Sequence, residues 1–113
     1  MATYKKIENV LSGKDLDREI ARLLNLNIKD DENLPNYHLD IGLALSLPIV
    51  DGNFRVSEIV VGSTKQVFVS IVKSSGCYVG HAYIMGQERG MYWASAVCRA
   101  WLDMKEREGK EEK

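Results

Sequence analysis

Three β-type runs joined by very short linkers constrain this chain more than any other feature. The runs cover residues 54–61, 66–73 and 77–84, and the linkers 62–65 and 74–76 each contain a glycine. Linkers of hairpin length join antiparallel neighbours, whereas a parallel crossover needs a dozen residues or more. In the middle run Val67, Val69 and Ile71 alternate with residues of mixed polarity. The pattern predicts a three-stranded antiparallel meander with one covered face and one mixed face.

Helical patterns lie on both sides of these strands. The helical spacing over residues 4–11 predicts a short amphipathic turn or helix, and Ser12 and Asp15 then fit a capped helix start. The helix that follows has an inward stripe (Leu16, Ile20, Leu23, Leu24) and an outward polar face (Asp17, Arg18, Glu19, Arg22). A second helix is expected over residues 37–47, capped by Asn36 and ended by Pro48. Because this helix is apolar nearly all round, we expect it to be buried.

The last helix is expected over residues 91–108. Its core stripe is followed by a second apolar flank, formed by Trp93, Ala96, Ala100 and Met104. A stripe of that breadth predicts contact with the sheet and with a second surface. We therefore expect a homo-oligomer, most simply a dimer, that uses this flank.

Strands grouped together with helices at both ends indicate an α+β fold. The expected architecture is a three-layer, α-β-α sandwich-like domain, in which a short meander packs with N-terminal helices and a long C-terminal helix. The 113 residues fit one domain over residues 1–108, followed by a charged flexible tail over 109–113.

Charge and cysteine usage exclude several classes of function. With 15 Lys+Arg against 16 Asp+Glu the net charge is −1, so no nucleic acid partner is expected. The chain contains no apolar stretch near the roughly 20 residues of a membrane helix, and no secretory signal is recognised. Cys77 and Cys98 lack C-x-x-C spacing, so we expect reduced thiols in a cytoplasm, no metal and no cofactor.

Three segments resemble one family. Residues 12–21 (SGKDLDREIA) look like the G-x-x-LD-x-x-IA opening of the phage α-β-α sandwich proteins. Residues 34–44 (LPNYHLDIGLA) are similar to the P-x-Y-S-x-D-x-x-A-A segment of that family, with His38 where Ser or Thr is usual. Residues 96–102 (AVCRAWL) resemble its closing A-I-C-R-A-W-L helix. The matches follow family order, and the resemblance implies a phage or prophage protein of a bacterial cytoplasm with a three-layer sandwich. It implies no activity.

Catalytic arrangements are weak in this sequence. His38 and Asp40 could form an acid–base pair, but residues two apart on a helix point in different directions, and Asp40 better suits a helix start. Cys77 and His81, four apart on one strand, are roughly 13 Å apart and cannot form a nucleophilic pair. Cys98 falls among core positions, as an inert buried thiol would. No phosphate-binding, dinucleotide, metalloprotease or nucleophile-elbow motif is present.

The start of the last helix is the best candidate for a ligand site. The residues concerned are Arg89, Gly90, Tyr92 and Arg99. A guanidinium, a flexible glycine and free amides at a helix N-terminus suit an anion, and a Tyr ring could hold a base. The alternative is a solvated turn in which Arg89 pairs with Glu88 or Asp103.

Three functions fit these observations, in this order. The first is a non-enzymatic phage or prophage accessory protein that binds a small, anionic, nucleotide-like ligand, by analogy with phage proteins that sequester host defence signals. The second is a protein-binding module or inhibitor of a host protein that uses the C-terminal helix. The third is a small enzyme with an unrecognised site.

Overall fold

A computed structural model describes residues 13–28, 33–49, 52–74, 76–85 and 89–111. The elements are α1 (Lys14–Leu23), α2 (Ile41–Leu45), β1 (Asn53–Val61), β2 (Thr64–Lys73), β3 (Gly76–Ile84) and α3 (Arg89–Glu111). The turn predicted over 4–11 and the cap predicted at Ser12 lie outside the described residues. The expected α+β class, a meander packed with helices, is confirmed.

The sheet is an antiparallel meander in the order β1-β2-β3. Its register places Val56, Val69 and Gly80 in one row, and Ser57, Phe68 and His81 in the next. Because side chains alternate along each strand, these two rows point to opposite faces. All buried strand residues (Val67, Val69, Ile71, Tyr78, Gly80, Ala82) lie on the face of the first row. The predicted meander with one covered face is therefore confirmed.

The long helix α3 covers that face. A Cβ added to Gly80 would collide with the backbone of Ala96 and Ala100, so glycine is what lets the helix approach β3 so closely. Helices α1 and α2 pack in turn against α3. The indole of Trp101, which is fully buried, donates to the Pro48 carbonyl at 2.8 Å and connects α3 to the end of the α2 segment.

Helix α1 begins after Gly13, where no side chain caps the first turn. It ends with Asn25 in the left-handed region at φ 59°. Asn25 N–H donates to the Arg22 carbonyl, and Leu26 N–H donates to the Ala21 carbonyl. This is a Schellman motif, and it satisfies carbonyls that the helix itself leaves without partners.

Helix α2 is shorter than predicted and begins later. Its N-cap is Asp40, whose side chain accepts from the Leu43 N–H at 3.2 Å, so the proposed helix-start role of Asp40 is confirmed. Asn36 is not the cap, because its Oδ1 accepts from Lys14 Nζ at 2.8 Å. The segment predicted as a buried helix is also not buried all round: Leu45 on α2 and Leu39 before it are exposed.

The outer edge of β3 is closed by side chains of α3. Arg99 donates to the His81 carbonyl at 2.7 Å, and Asp103 accepts from the Val79 N–H at 3.2 Å. Arg107 donates to the carbonyl of Cys77. The three helix residues are four apart, a rise of about 6 Å, and the three strand residues are two apart, a rise of about 6.7 Å. The spacing of the side chains along α3 therefore matches the spacing of the outward backbone groups along β3. An edge satisfied in this way offers little to another strand.

Candidate functional site

The structure separates the residues predicted to bind a ligand at the start of α3. Arg89 Nε lies 3.8 Å from Glu58 Oε1 on β1, whereas Arg99 reaches the outer edge of β3. Tyr92 is partly buried against the core. Only Arg89 and Gly90 remain together at an accessible helix start, so these four residues do not form one site. Of the two partners predicted for Arg89, Asp103 is not the one observed, and Glu88 lies outside the described residues.

The predicted oligomer flank is part of the core. Ala96, Ala100 and Met104 are fully or almost fully buried within this one chain. Trp93 packs at the margin of the core and donates from Nε1 to Glu58 Oε2 at 2.8 Å. The surplus apolar residues of the helix are explained by contact with the sheet and with α1 and α2, so they offer no surface to a partner.

His38 pairs with Asp17 rather than with Asp40. Asp17 has no exposed surface, which corrects the prediction that it faces water. Its Oδ2 lies 2.7 Å from His38 Nδ1, and its Oδ1 accepts from the His38 N–H at 3.0 Å. Sequence reasoning missed this pair because Asp17 falls on the polar side of the periodic pattern. A carboxylate that orients an imidazole supplies two of the three members of a catalytic triad.

The third member of such a triad is absent from the described residues. Ser95 lies close by, but its Oγ donates to the backbone carbonyl of His38 at 3.1 Å rather than to the ring. A nucleophile has to contact the base itself. The Asp17–His38 pair therefore ties the segment before α2 to α1, and Ser95 ties the same segment to α3.

Cys98 is not poised for reaction either. It is buried, and burial together with the nearby Asp17 carboxylate raises its pKa to about 12. The neutral thiol is the stable form near pH 7, and only the thiolate is nucleophilic. Cys77 is exposed, and both cysteines are free, as predicted. Within the described residues, no group of His, Cys, Asp and Glu side chains is arranged to hold a metal ion.

The sheet face turned away from α3 carries an aromatic cluster. The ring of His81 lies 4.6 Å from that of Phe68 and 4.7 Å from that of Tyr83, between centroids. His81 Nε2 also lies 2.9 Å from Gln66 Oε1. Tyr83 is 53% exposed, and no described helix packs on this face. We refer to Phe68, His81 and Tyr83 as the aromatic cluster.

Arg55 lies beside the aromatic cluster on the same face. It is opposite Ser70 on β2 and two rows from Phe68, a diagonal separation of about 7–8 Å between Cα atoms. Arg55 is exposed, and no carboxylate of the described residues is within ion-pair distance of its guanidinium. Arg89, by contrast, lies beside Glu58.

The sequence carried a signal for this surface. Phe68, His81 and Tyr83 occupy the mixed face of the predicted strands, where solvated residues are expected. Large rings on a face with no obvious cover are unusual enough to mark a binding surface. Their mutual contact depends on the register of β2 against β3, which alternation alone does not fix.

None of the described helices is long and apolar enough to cross a membrane. In comparisons with protein-family models, curated proteins and solved structures, no match to this chain was found. The resemblance to phage α-β-α sandwich proteins therefore remains a prediction from the residues.

Proposed function

We propose that this protein is a non-enzymatic phage or prophage accessory protein that binds a small nucleotide-like ligand on the open face of its sheet. The observation that carries the proposal is the aromatic cluster, in which the His81 ring contacts those of Phe68 and Tyr83 on a face that no described helix covers. Flat rings on a sheet surface are a recurring platform for bases, which stack on them whatever their sequence.

The polar groups around the cluster suit the rest of such a ligand. Arg55 supplies a guanidinium for a phosphate, and charge-assisted hydrogen bonds of that kind are among the strongest in proteins. Gln66 and Ser57 add an amide and a hydroxyl in neighbouring positions of the register. The net charge of −1 favours a small ligand over a polynucleotide, because long nucleic acids are held by many cations.

The proposed role is to hold the ligand and remove it from circulation, as expected for a protein that sequesters a host defence signal. The Asp17–His38 pair lacks a nucleophile at its ring and Cys98 is protonated, so neither supports turnover. The test is to bind a nucleotide, denature the complex and identify the ligand by mass spectrometry. Recovery of the unchanged nucleotide supports sequestration, and conversion to a product contradicts it.

The location of the site is tested by two arginine variants in a thermal-shift and calorimetry screen of cyclic and linear nucleotides. Arg55→Gln should weaken binding by roughly 10- to 100-fold, the range for losing a hydrogen bond to a charged group. Arg89→Gln is the matched control and should bind as wild type does. Tyr83→Leu should lose a similar factor through lost stacking, whereas Tyr83→Phe keeps the ring and should keep binding.

The same screen separates the alternatives. If Arg89→Gln loses affinity and Arg55→Gln does not, the ligand binds at the start of α3. If no nucleotide raises the melting temperature of wild type, the open face binds a protein or nothing, and the nucleotide proposal is wrong.

A further inference from the structure

The outer edge of β1 presents a row of backbone groups. On β3 the carbonyls of Cys77 and His81 and the N–H of Val79 point away from β2, because their partners lie on α3. Along an antiparallel ladder, successive residues of a strand point their N–H and C=O groups to opposite sides of the strand. The register relates each residue of β3 to one of β2 and then to one of β1. Four residues of β1 therefore have N–H and C=O groups that point away from β2: Phe54, Val56, Glu58 and Val60.

Among the described residues no further strand pairs with this edge, whose charged side chains are those of Arg55 and Glu58. In the sheet order β1 is an edge strand, and it runs for nine residues without a proline. Its C-terminal half is apolar and exposed, with Val60 at 65% and Val61 at 58%. A long, apolar edge strand is a template for pairing with another strand.

We propose that β1 pairs antiparallel with β1 of a second copy, about a two-fold axis that passes between the two Ser57 residues. In this register Val56 faces Glu58 of the other copy, and Phe54 faces Val60. All the outward N–H and C=O groups of both strands then have partners, and all nine residues of each strand are paired. A register shifted toward either end leaves some of these groups without a partner.

Charge disfavours two of the neighbouring registers. A two-fold axis at Arg55 would place the two Arg55 side chains directly opposite each other, and an axis at Glu58 would do the same for the two carboxylates. Like charges directly opposite are destabilising. With the axis at Ser57, Arg55 lies opposite Ile59 of the other copy and its aliphatic stem can cover that exposed side chain. The Ser57-centred register thus pairs all nine residues without placing like charges directly opposite each other.

The pairing would create a continuous sheet through both copies. Because the axis is perpendicular to the sheet, both copies of α3 lie on one side and both open faces on the other. Phe68 shares a row with Ser57, so the two Phe68 rings would lie in line across the axis, three strand spacings or about 14 Å apart. The inference does not rest on the proposed function, since it concerns backbone pairing without any ligand.

The first test is the mass of the protein without ligand, measured by light scattering or sedimentation at high micromolar concentration. The expected mass is that of two chains. A single-chain mass overturns the proposal, and it leaves nucleotide binding to be decided by the Arg55 and Tyr83 variants.

The register is tested by cross-linking. In the Ser57-centred pairing, the two Ser57 residues form a pair without ladder hydrogen bonds, with Cα atoms about 4.5 Å apart, which a disulfide can span. Ser57→Cys, in a Cys77→Ser background, should therefore form a covalent dimer under mild oxidation. Ile59→Cys is the control, on the same strand and face, and should not, because it lies opposite Arg55. Equal cross-linking of both variants, or none by Ser57→Cys, overturns this register.

A second variant tests the edge itself. Val60→Pro removes an outward N–H and leaves the ladder with β2 intact, since proline is tolerated on an edge strand. It should weaken the dimer by about tenfold or more, because two hydrogen bonds per dimer are lost. Val60→Thr keeps the N–H and the branched shape and should dimerise as wild type does. A dimer unchanged by Val60→Pro overturns the proposal.

Discussion

The two edges of the sheet differ in whether side chains bind their outward backbone groups. Along β3, side chains of α3 meet the outward backbone groups in turn, with Arg99, Asp103 and Arg107 at successive helical turns. Along β1, the side-chain hydrogen bonds and ion pairs found among the described residues involve only Glu58, whose partners are Trp93 and Arg89 of the same chain. One helix thus closes one edge, and no described side chain closes the other edge in the same way.

The largest expected effect on stability comes from a substitution that separates α3 from β3. Gly80→Ala places a Cβ against the backbone of Ala96 and Ala100, and a backbone cannot move aside as a side chain can. We expect the free energy of unfolding to fall by about 3 kcal/mol, the upper end for overpacking a core. Chemical denaturation measures it.

Gly90→Ala is the matched control for that substitution. Nothing lies within 4 Å of a Cβ built at Gly90, and alanine favours helix over glycine by up to about 1 kcal/mol. Its stability should be equal or higher. If Gly80→Ala is tolerated as well as Gly90→Ala, the close approach of α3 to β3 is wrong.

Most of the fold was predictable from local patterns. Hairpin-length linkers and the alternation of Val67, Val69 and Ile71 predicted the meander and its covered face. The closing of the β3 edge was not predictable, because it depends on how α3 lies across the sheet. Asp17 illustrates the same limit: its place in the helical pattern indicated solvent, and only the fold brings His38 and its backbone N–H to the carboxylate.

The candidate site was harder to predict than the fold. The helix start at Arg89 was recognised from local chemistry, yet the carboxylate beside it comes from Glu58 on β1, which β2 and β3 separate from α3 in the sequence. The aromatic cluster was overlooked because each ring by itself is an ordinary residue of a mixed strand face. Contacts between neighbouring strands, rather than any single residue, make it a surface.

The Asp103 carboxyl at the β3 edge should make the stability of the protein depend on pH. Burial raises the pKa of the Asp103 carboxyl, and the bond from the Val79 N–H and the charge of Arg107 oppose this only in part. A carboxyl with a higher pKa in the folded state binds its proton more tightly there. Its contribution to stability therefore falls as pH rises from the ordinary value of 3.8 through the raised pKa.

Asp103→Asn isolates this effect, because its amide oxygen can still accept from the Val79 N–H without carrying a charge. Relative to wild type, the variant should gain in unfolding free energy as pH rises through that window, and the difference should level off above it. Urea unfolding at a series of pH values measures the difference. Asp15→Asn, on the exposed side of α1, corrects for the general loss of a carboxylate. A difference that does not change with pH would mean that the Asp103 carboxyl is not destabilised by burial.

The smallest effect concerns the two thiols, which report on the two sides of the sheet without any substitution. Cys77 is exposed on β3, and Cys98 is buried on α3, where burial raises its pKa to about 12. A thiol reagent near neutral pH should modify one cysteine quickly in the native protein and the other only after denaturation, because reaction needs both access and the thiolate. Peptide mapping should identify Cys77 as the fast one.

If the helix–sheet contact is what protects Cys98, the slow reaction should accelerate in Gly80→Ala and stay unchanged in Gly90→Ala. Rapid modification of Cys98 in the native wild type would show that α3 opens readily, and the β3 edge would then be closed for only part of the time.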